Sequence, residues 1–256
     1  MDLWVILGYH KVMFYFDKIN GKKVLKSDLI EAEHFFTTRE TCIKTKESEM
    51  IDCVAKNKAD ICKYLNIPEG NLITPSQTHT AHVELARASK TTYPDTDGLI
   101  LTDKNLAIFL NFADCTPLIF YDRVKNIGAV SHAGWRGTAE NIATKTLQLM
   151  TEDFGCNAVD ISAVIGPAIS MCCYNVGKEV LEKLQQTVSD FSGLSEEREG
   201  EIYVDLKKIN ARQIEEFGVS RIDVCPYCTV CDNANFFSYR KENATTNRHS
   251  AVLKLR

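Results

Sequence analysis

The chain has 256 residues, 45% hydrophobic and 25% charged, with 30 basic against 34 acidic side chains and a formal net charge of −4. That size supports one large core. The slight acidity lacks the basic footprint that nucleic acid or an anionic membrane demands, so a small-molecule partner is expected.

The N-terminus, MDLWVILGYHKVMFYF, carries Asp2 where an export signal would be positive, and Gly8 and His10-Lys11 interrupt its apolar runs. It reads as strands. No stretch approaches the roughly 20 apolar residues of a membrane-spanning helix. The ten cysteines are therefore expected as reduced thiols of a cytoplasmic protein, serving as packing, metal ligands or nucleophiles.

VMFYF at 12–16 and VLKSDLI at 24–30 flank Asn20-Gly21, a dipeptide that supplies the positive φ angles of a tight hairpin. Residues 48–66 set Ile51, Val54, Ile61 and Leu65 near one helix face, interrupted by Lys58, with Ser48 as cap and Pro68 closing the segment. GLILT, LAIFLNF, PLIFYD and NIGAVSH then follow between 98 and 132 as the centre of a sheet. A helix is expected from about Thr138, with Ile142, Ala143, Thr146, Leu147 and Met150 on one face. ISAVIG at 161–166 reads as a strand, followed by a Gly-Pro loop and a helix carrying Val180, Leu181, Leu184 and Val188. Residues 190–201 read as a solvated loop with no structural burden. A helix over 205–217 stops at Gly218, a strand RIDVC follows, and the chain ends in FFSYR and AVLKL. Hairpins mixed with crossovers predict an α+β fold with mixed β-sheets. No repeat, linker or low-complexity tract divides the chain, so residues 1–256 are expected to form one domain.

Three groups of residues carry chemistry. Gln77-Thr78-His79 with His82, Cys115 and His132 offers imidazole and thiolate, the donors that zinc prefers, and three such ligands leave a fourth position for water or substrate. Cys115 opens one strand and His132 closes the next, so an antiparallel pair turning at 122–126 would bring them to one sheet edge. The alternative is a packed thiol and a capped histidine. GWRGT at 134–138 could receive an anion on Arg136 and a helix N-terminus, or form a tight turn with Arg136 lying over Trp135.

The third group, Cys225-Pro-Tyr-Cys228-Thr-Val-Cys231, lacks a second Cys-x-x-Cys to complete a zinc ribbon. Joined to His82-Val83-Glu84 it resembles the nucleobase deaminase signature, but Tyr227 separates proline from cysteine and the halves lie about 140 residues apart. The adjacent Cys172-Cys173 pair is too constrained for a disulfide and reads as packing.

Taken in order, HFFTTR at 34–39, SQTHTAHV, TDGLILT, ADCTP, SHAGWRGT, IGPAISMCCYNVG, CTVC, FFSYR and TTNR resemble the laccase-domain family, also called the YfiH-type or multicopper polyphenol oxidase family. The resemblance runs from about residue 34 to the C-terminus. It implies an α-β-β-α layered fold and a zinc-dependent purine nucleoside phosphorylase that takes purine nucleoside and phosphate, with companion adenosine deaminase activity. It also implies His79, Cys115 and His132 as catalytic metal ligands, and Arg39, Asn57 and Arg136 as polar lining for substrate or phosphate. A monomer or homodimer would suffice. Alternatives from the same family are a copper-dependent polyphenol oxidase and a hydrolase that edits cell-wall precursors. The chain departs from the family pattern at Thr80 and Asn247, where glycines are expected, and at Thr41-Cys42-Ile43-Lys44 after Arg39. Asn247 is expected to keep its turn by adopting positive φ.

Overall fold

The run AIFLNF alternates between two apolar faces: Ala107 and Phe109 join one buried cluster, Ile108, Leu110 and Phe112 another. PLIFYD does the same, with Leu118 and Phe120 on one side and Ile119 and Tyr121 on the other. Side chains alternate across a strand, so strands apolar on both faces need cover on both sides. The structure, a computed structural model, supplies it over residues 14–256. The strand reading of the first 13 residues lies outside the described residues.

In chain order the strands and helices are β1 (Phe14–Ile19), β2 (Lys22–Ser27), β3 (Glu33–Thr37), α1 (Ile51–Leu65), β4 (Leu72–Ile73), β5 (Val83–Leu85), β6 (Gly98–Leu101), β7 (Ala107–Phe112), β8 (Thr116–Asp122) and β9 (Ile127–Ala133). The second half adds α2 (Trp135–Ala139), α3 (Ile142–Glu152), β10 (Ile161–Ile165), β11 (Asn175–Val176), α4 (Lys178–Gln185), β12 (Ser195–Arg198), β13 (Glu201–Val204), α5 (Leu206–Phe217), β14 (Arg221–Val224) and β15 (His249–Lys254).

One six-stranded mixed sheet runs β1-β2-β3-β15-β7-β4 and the other β14-β10-β8-β9-β6-β5, with β11-β13-β12 as a small third sheet. Phe36, Leu110, Phe112, Ile119, Val130, Val164 and Leu253 fill the space between the large sheets. Ile61 and Leu65 of α1 cover the outer face of the first sheet. Ile142, Leu147 and Met150 of α3 and Ile214 of α5 cover the second. The α-β-β-α layering expected from the sequence is the one observed. No helix among the described residues is long and apolar enough to cross a membrane.

Several local expectations change. Ser48 opens a short 3-10 turn, α1 starts only at Ile51, and Ile51 itself is exposed, because the buried stripe runs Val54, Asn57, Ile61 and Leu65. Lys58 lays its ammonium 5.6 Å from the Phe109 ring centre, which makes a lysine tolerable beside that stripe. The helix expected from Thr138 is two pieces: α2 begins at Trp135, and Asn141 at φ 59° breaks the chain before α3. Residues 190–201 are not structureless, since β12 and β13 form a hairpin turned by Glu199 and Gly200, both at positive φ. Asn247 keeps negative φ, and the left-handed positions in that loop are Asn243 and Ala244.

Candidate active site

Antiparallel pairing of β8 with β9 sets Thr116 opposite Ala133 and Pro117 opposite His132. Cys115 and His132 therefore share one sheet edge, as their spacing suggested. His79 arrives on the segment between β4 of the first sheet and β5 of the second. Gln77 fastens that segment to the first sheet, donating to Asn111 O at 2.9 Å and accepting from Asn111 N at 2.8 Å. Asp97 fastens it to the second, because Asp97 Oδ2 accepts from Thr78 N, Thr80 N and Thr80 Oγ1 at 2.8–3.1 Å.

The ligand atoms of His79, Cys115 and His132 all lie within 4.8 Å of one another. Bonds to zinc of about 2.0–2.3 Å would hold such atoms roughly 3.3–3.8 Å apart, so a small adjustment closes the set around one ion. The second ring nitrogen of His132 supports this reading. Nδ1 sits 2.8 Å from Asp97 Oδ1, which directs Nε2 toward Cys115 and fixes the ring as metal-binding histidines are commonly fixed. His79 (φ 68°) and Asp114 (φ 86°), which precedes Cys115, occupy the left-handed region, a strain of about 1–3 kcal/mol each that gathers at functional sites.

Charge is concentrated here. Burial alone would push the Cys115 thiol up, but the facing His132 and then His79 outweigh it and hold it at about 6. Burial works against a charged His132, yet Cys115 and Asp97 raise it to about 9. Against the burial of its carboxyl, His132 and the amides of Thr80 and Thr78 draw Asp97 down to about 2. The trio is thus built to present a thiolate, the form that binds metal.

The trio opens into a cavity of about 510 Å³. Lys44, Arg136, Arg240 and Arg248 line it against a single acid, Asp114, whose two oxygens already accept from Thr229 Oγ1 (2.6 Å) and Arg240 N (2.7 Å). Burial and the neighbouring charge of Arg248 hold Lys44 below the ordinary lysine value. An anion would relieve that repulsion. Trp135, Tyr174 and Tyr239 add aromatic faces. Arg136 reconciles the two readings of its motif: its guanidinium lies 4.3 Å from the Trp135 ring centre, and it also lines the cavity. The dipole expected behind it is small, because α2 has only five residues.

Arg39 and Asn57, expected as polar lining, do not reach this cavity. Arg39 is ion-paired with Glu242 at 2.8 Å and stacked on Phe237, while Asn57 is 1% exposed and bonded to Cys42 O and Lys22 Nζ. Lys44, Tyr174, Tyr239, Arg240 and Arg248 take that place. IGPAISMCCYNVG, FFSYR and TTNR pointed to four of them as motifs, without a role. His82 is exposed beside the Asp95 backbone, and Glu84 pairs with Lys90, so neither meets the distant thiols as the deaminase pattern requires. Those thiols have other company: Cys172 and Cys173, expected as packing, meet Cys228 and Cys231, whereas Cys225 is buried in the core between the sheets.

The family model described as multi-copper polyphenol oxidoreductase laccase matches residues 34–256. The chain is 31% identical over 243 residues to a purine nucleoside phosphorylase, YlmD, of Bacillus subtilis, covering 86% of this chain and 87% of that protein. It is 33% identical over 213 residues to YlmD of Geobacillus stearothermophilus, also named purine nucleoside phosphorylase, with 78% of each covered. The crystal structure of the latter protein superposes with a TM-score of 0.86 at 29% identity, covering 94% of this chain and 98% of that one.

Proposed function

The chain belongs to the multi-copper polyphenol oxidoreductase laccase family, and from that premise we propose that it is a zinc-dependent purine nucleoside phosphorylase. It takes purine nucleoside and phosphate, and releases free base and ribose 1-phosphate. The observation that carries this reading is a cavity with three aromatic rings and four cations at the mouth of the His79, Cys115 and His132 trio. The rings offer faces to a purine, and the cations offer forks and point charges to phosphate. The familial phosphorylase names agree with that pairing.

In this proposal Arg136, Arg248 and Lys44 hold phosphate so that one oxygen attacks C1′ of the ribose. The C1′–N9 bond breaks, its electron pair leaves with the base, and the base takes up a proton. Fixing both reactants in one pocket removes much of the entropic barrier. Cations preset around the phosphate need no reorganisation as charge moves through the transition state. His79, Cys115 and His132 would hold zinc, which supplies a Lewis acid at the edge of the pocket. Adenosine deamination is part of the same proposal, with adenosine bound against the same rings. Copper is the rival occupant, since N and S donors accept it readily. An oxidase of several coppers would need further histidine ligands, and the other metal-capable cluster among the described residues contains only cysteines.

The test is release of hypoxanthine from inosine, and of adenine from adenosine, by protein with known metal content. We expect release that depends on phosphate, forms ribose 1-phosphate, and is lost in Cys115→Ala together with one bound zinc. Phosphate-independent release, or none with zinc bound, would overturn the proposal. Copper in protein made without added copper would return the oxidase reading.

A further inference from the structure

Four thiols form a second cluster, separate from the His79, Cys115 and His132 trio. The sulfurs of Cys172, Cys173, Cys228 and Cys231 all lie within 4.8 Å of one another. Cys172 and Cys173 approach Cys231 at 3.6 and 3.5 Å. A disulfide needs about 2.05 Å, so these are not bonded pairs, and all four cysteines are free. Sulfurs around a tetrahedral ion with bonds of about 2.3 Å stand roughly 3.8 Å apart, which is the spacing this cluster approaches. The backbone N–H of Ser170 donates to Cys228 Sγ at 3.4 Å, a contact that favours thiolate.

We propose that Cys172, Cys173, Cys228 and Cys231 form a second, structural zinc site that clasps two loops of the cavity wall. Four protein thiolates close the coordination sphere, so this site holds an ion without an open position for substrate. Thiolates select soft or borderline ions, and a tetrahedral four-sulfur set suits zinc.

The position explains the need. Between Ile165 and Asn175, and between Val224 and His249, no strand or helix longer than an isolated bridge is formed. These two stretches supply Ile169, Tyr174, Tyr239 and Arg240 to the cavity. They already touch through an Ala168–Cys228 bridge and through Arg240 donating to Cys173 O at 3.4 Å. An ion between Cys172-Cys173 and Cys228-x-x-Cys231 would tie them through metal–thiolate bonds, in a region where backbone pairing is sparse. Metal binding then contributes directly to the order of the wall. Tyr174, next to Cys173, and Asp114, held by Thr229 next to Cys228, are the site groups that feel it first.

Metal counting on the full chain, expressed with zinc and purified under reducing conditions, tests this independently of the catalytic reading. The wild type is expected to carry two zinc ions, Cys115→Ala one, and Cys115→Ala with Cys231→Ser none. Cobalt loaded into Cys115→Ala should give the intense sulfur-to-cobalt charge-transfer absorption of a four-thiolate site. Cys115→Ala carrying no tightly bound metal would overturn the proposal, as would a disulfide among the four thiols in the intact mass of natively purified protein. Because the single variant is decisive, the test survives if the double variant does not fold.

Discussion

Asp97 engages both carboxylate oxygens in hydrogen bonds, and two segments converge on it. Its Oδ1 faces His132 Nδ1, its Oδ2 takes three bonds from Thr78 and Thr80, and its carbonyl accepts from His132 N at 2.7 Å. Thr80, where the family pattern has glycine, contributes one of those bonds through its hydroxyl, so the departure strengthens the support for His132. Asp97→Asn keeps the shape but removes the charge that steadies the ring. Removing a group that holds a metal-binding histidine in place costs about 10–100-fold in metal affinity. We expect that drop in competition against a zinc chelator, with folding retained; unchanged affinity would show that His132 needs no partner. The candidate ligands stood out in the sequence because imidazole and thiolate are scarce and chemically marked. Lys44 did not, and Arg248 stood in a motif without a role, since a basic residue in sequence looks the same on a solvated face and in a pocket. Arg39 shows the converse, a cation whose charge Glu242 has already taken.

At the scale of elements, the site is an outcome of the β8–β9 hairpin and the segment that crosses from one sheet to the other. A shift of one residue in the hairpin register would turn His132 to the opposite face, and the apolar alternation of both strands forbids it. That is why this half of the site could be read from spacing, while His79, placed by hydrogen bonds between distant segments, needed ligand chemistry or family resemblance. The hairpin ends at Gly134, where an added Cβ would stand 3.1 Å from both Cys115 Sγ and His79 Cδ2. Its φ of −71° suits any residue, so Gly134→Ala presses on the ligands without straining its own backbone. We expect unfolding free energy within about 1 kcal/mol of wild type, but zinc bound at least several-fold more weakly. Equal losses in both measurements would mean that the glycine serves the fold. The α2–α3 break was hidden by a continuous apolar stripe, since only Asn141 marks it.

For the whole molecule, what matters is how closely two sheets can meet. Gly166, just past β10, lies against Phe36 of β3 so tightly that a Cβ there would sit 2.2 Å from the ring. The sheet faces were legible from alternation, but this pairing across sheets was not, because periodicity does not say which face meets which. The same apolar interior encloses His249, whose ring lies 6.5 Å from Phe112 and 5.4 Å from Phe236. Burial, then the charges of Arg248 and Arg39, lower it from 6.5 to about 3. The folded chain therefore keeps this ring neutral, while the unfolded chain binds a proton below about 6.5. Its contribution to stability is complete above that pH and is lost progressively as pH falls toward 3. At about 1.4 kcal/mol per pH unit, the loss from this ring reaches roughly 2 kcal/mol at pH 5. His34, also buried and lowered, acts in the same direction. The candidate metal ligands would also compete with protons there, so the measurement is a difference between urea unfolding of wild type and of His249→Leu, both with zinc supplied, at pH 7 and pH 5. Leucine cannot take the proton, and the ligand titrations cancel between the two proteins. Wild type should lose about 2 kcal/mol more than the variant; equal losses would mean that the His249 ring finds a way to ionise inside the fold.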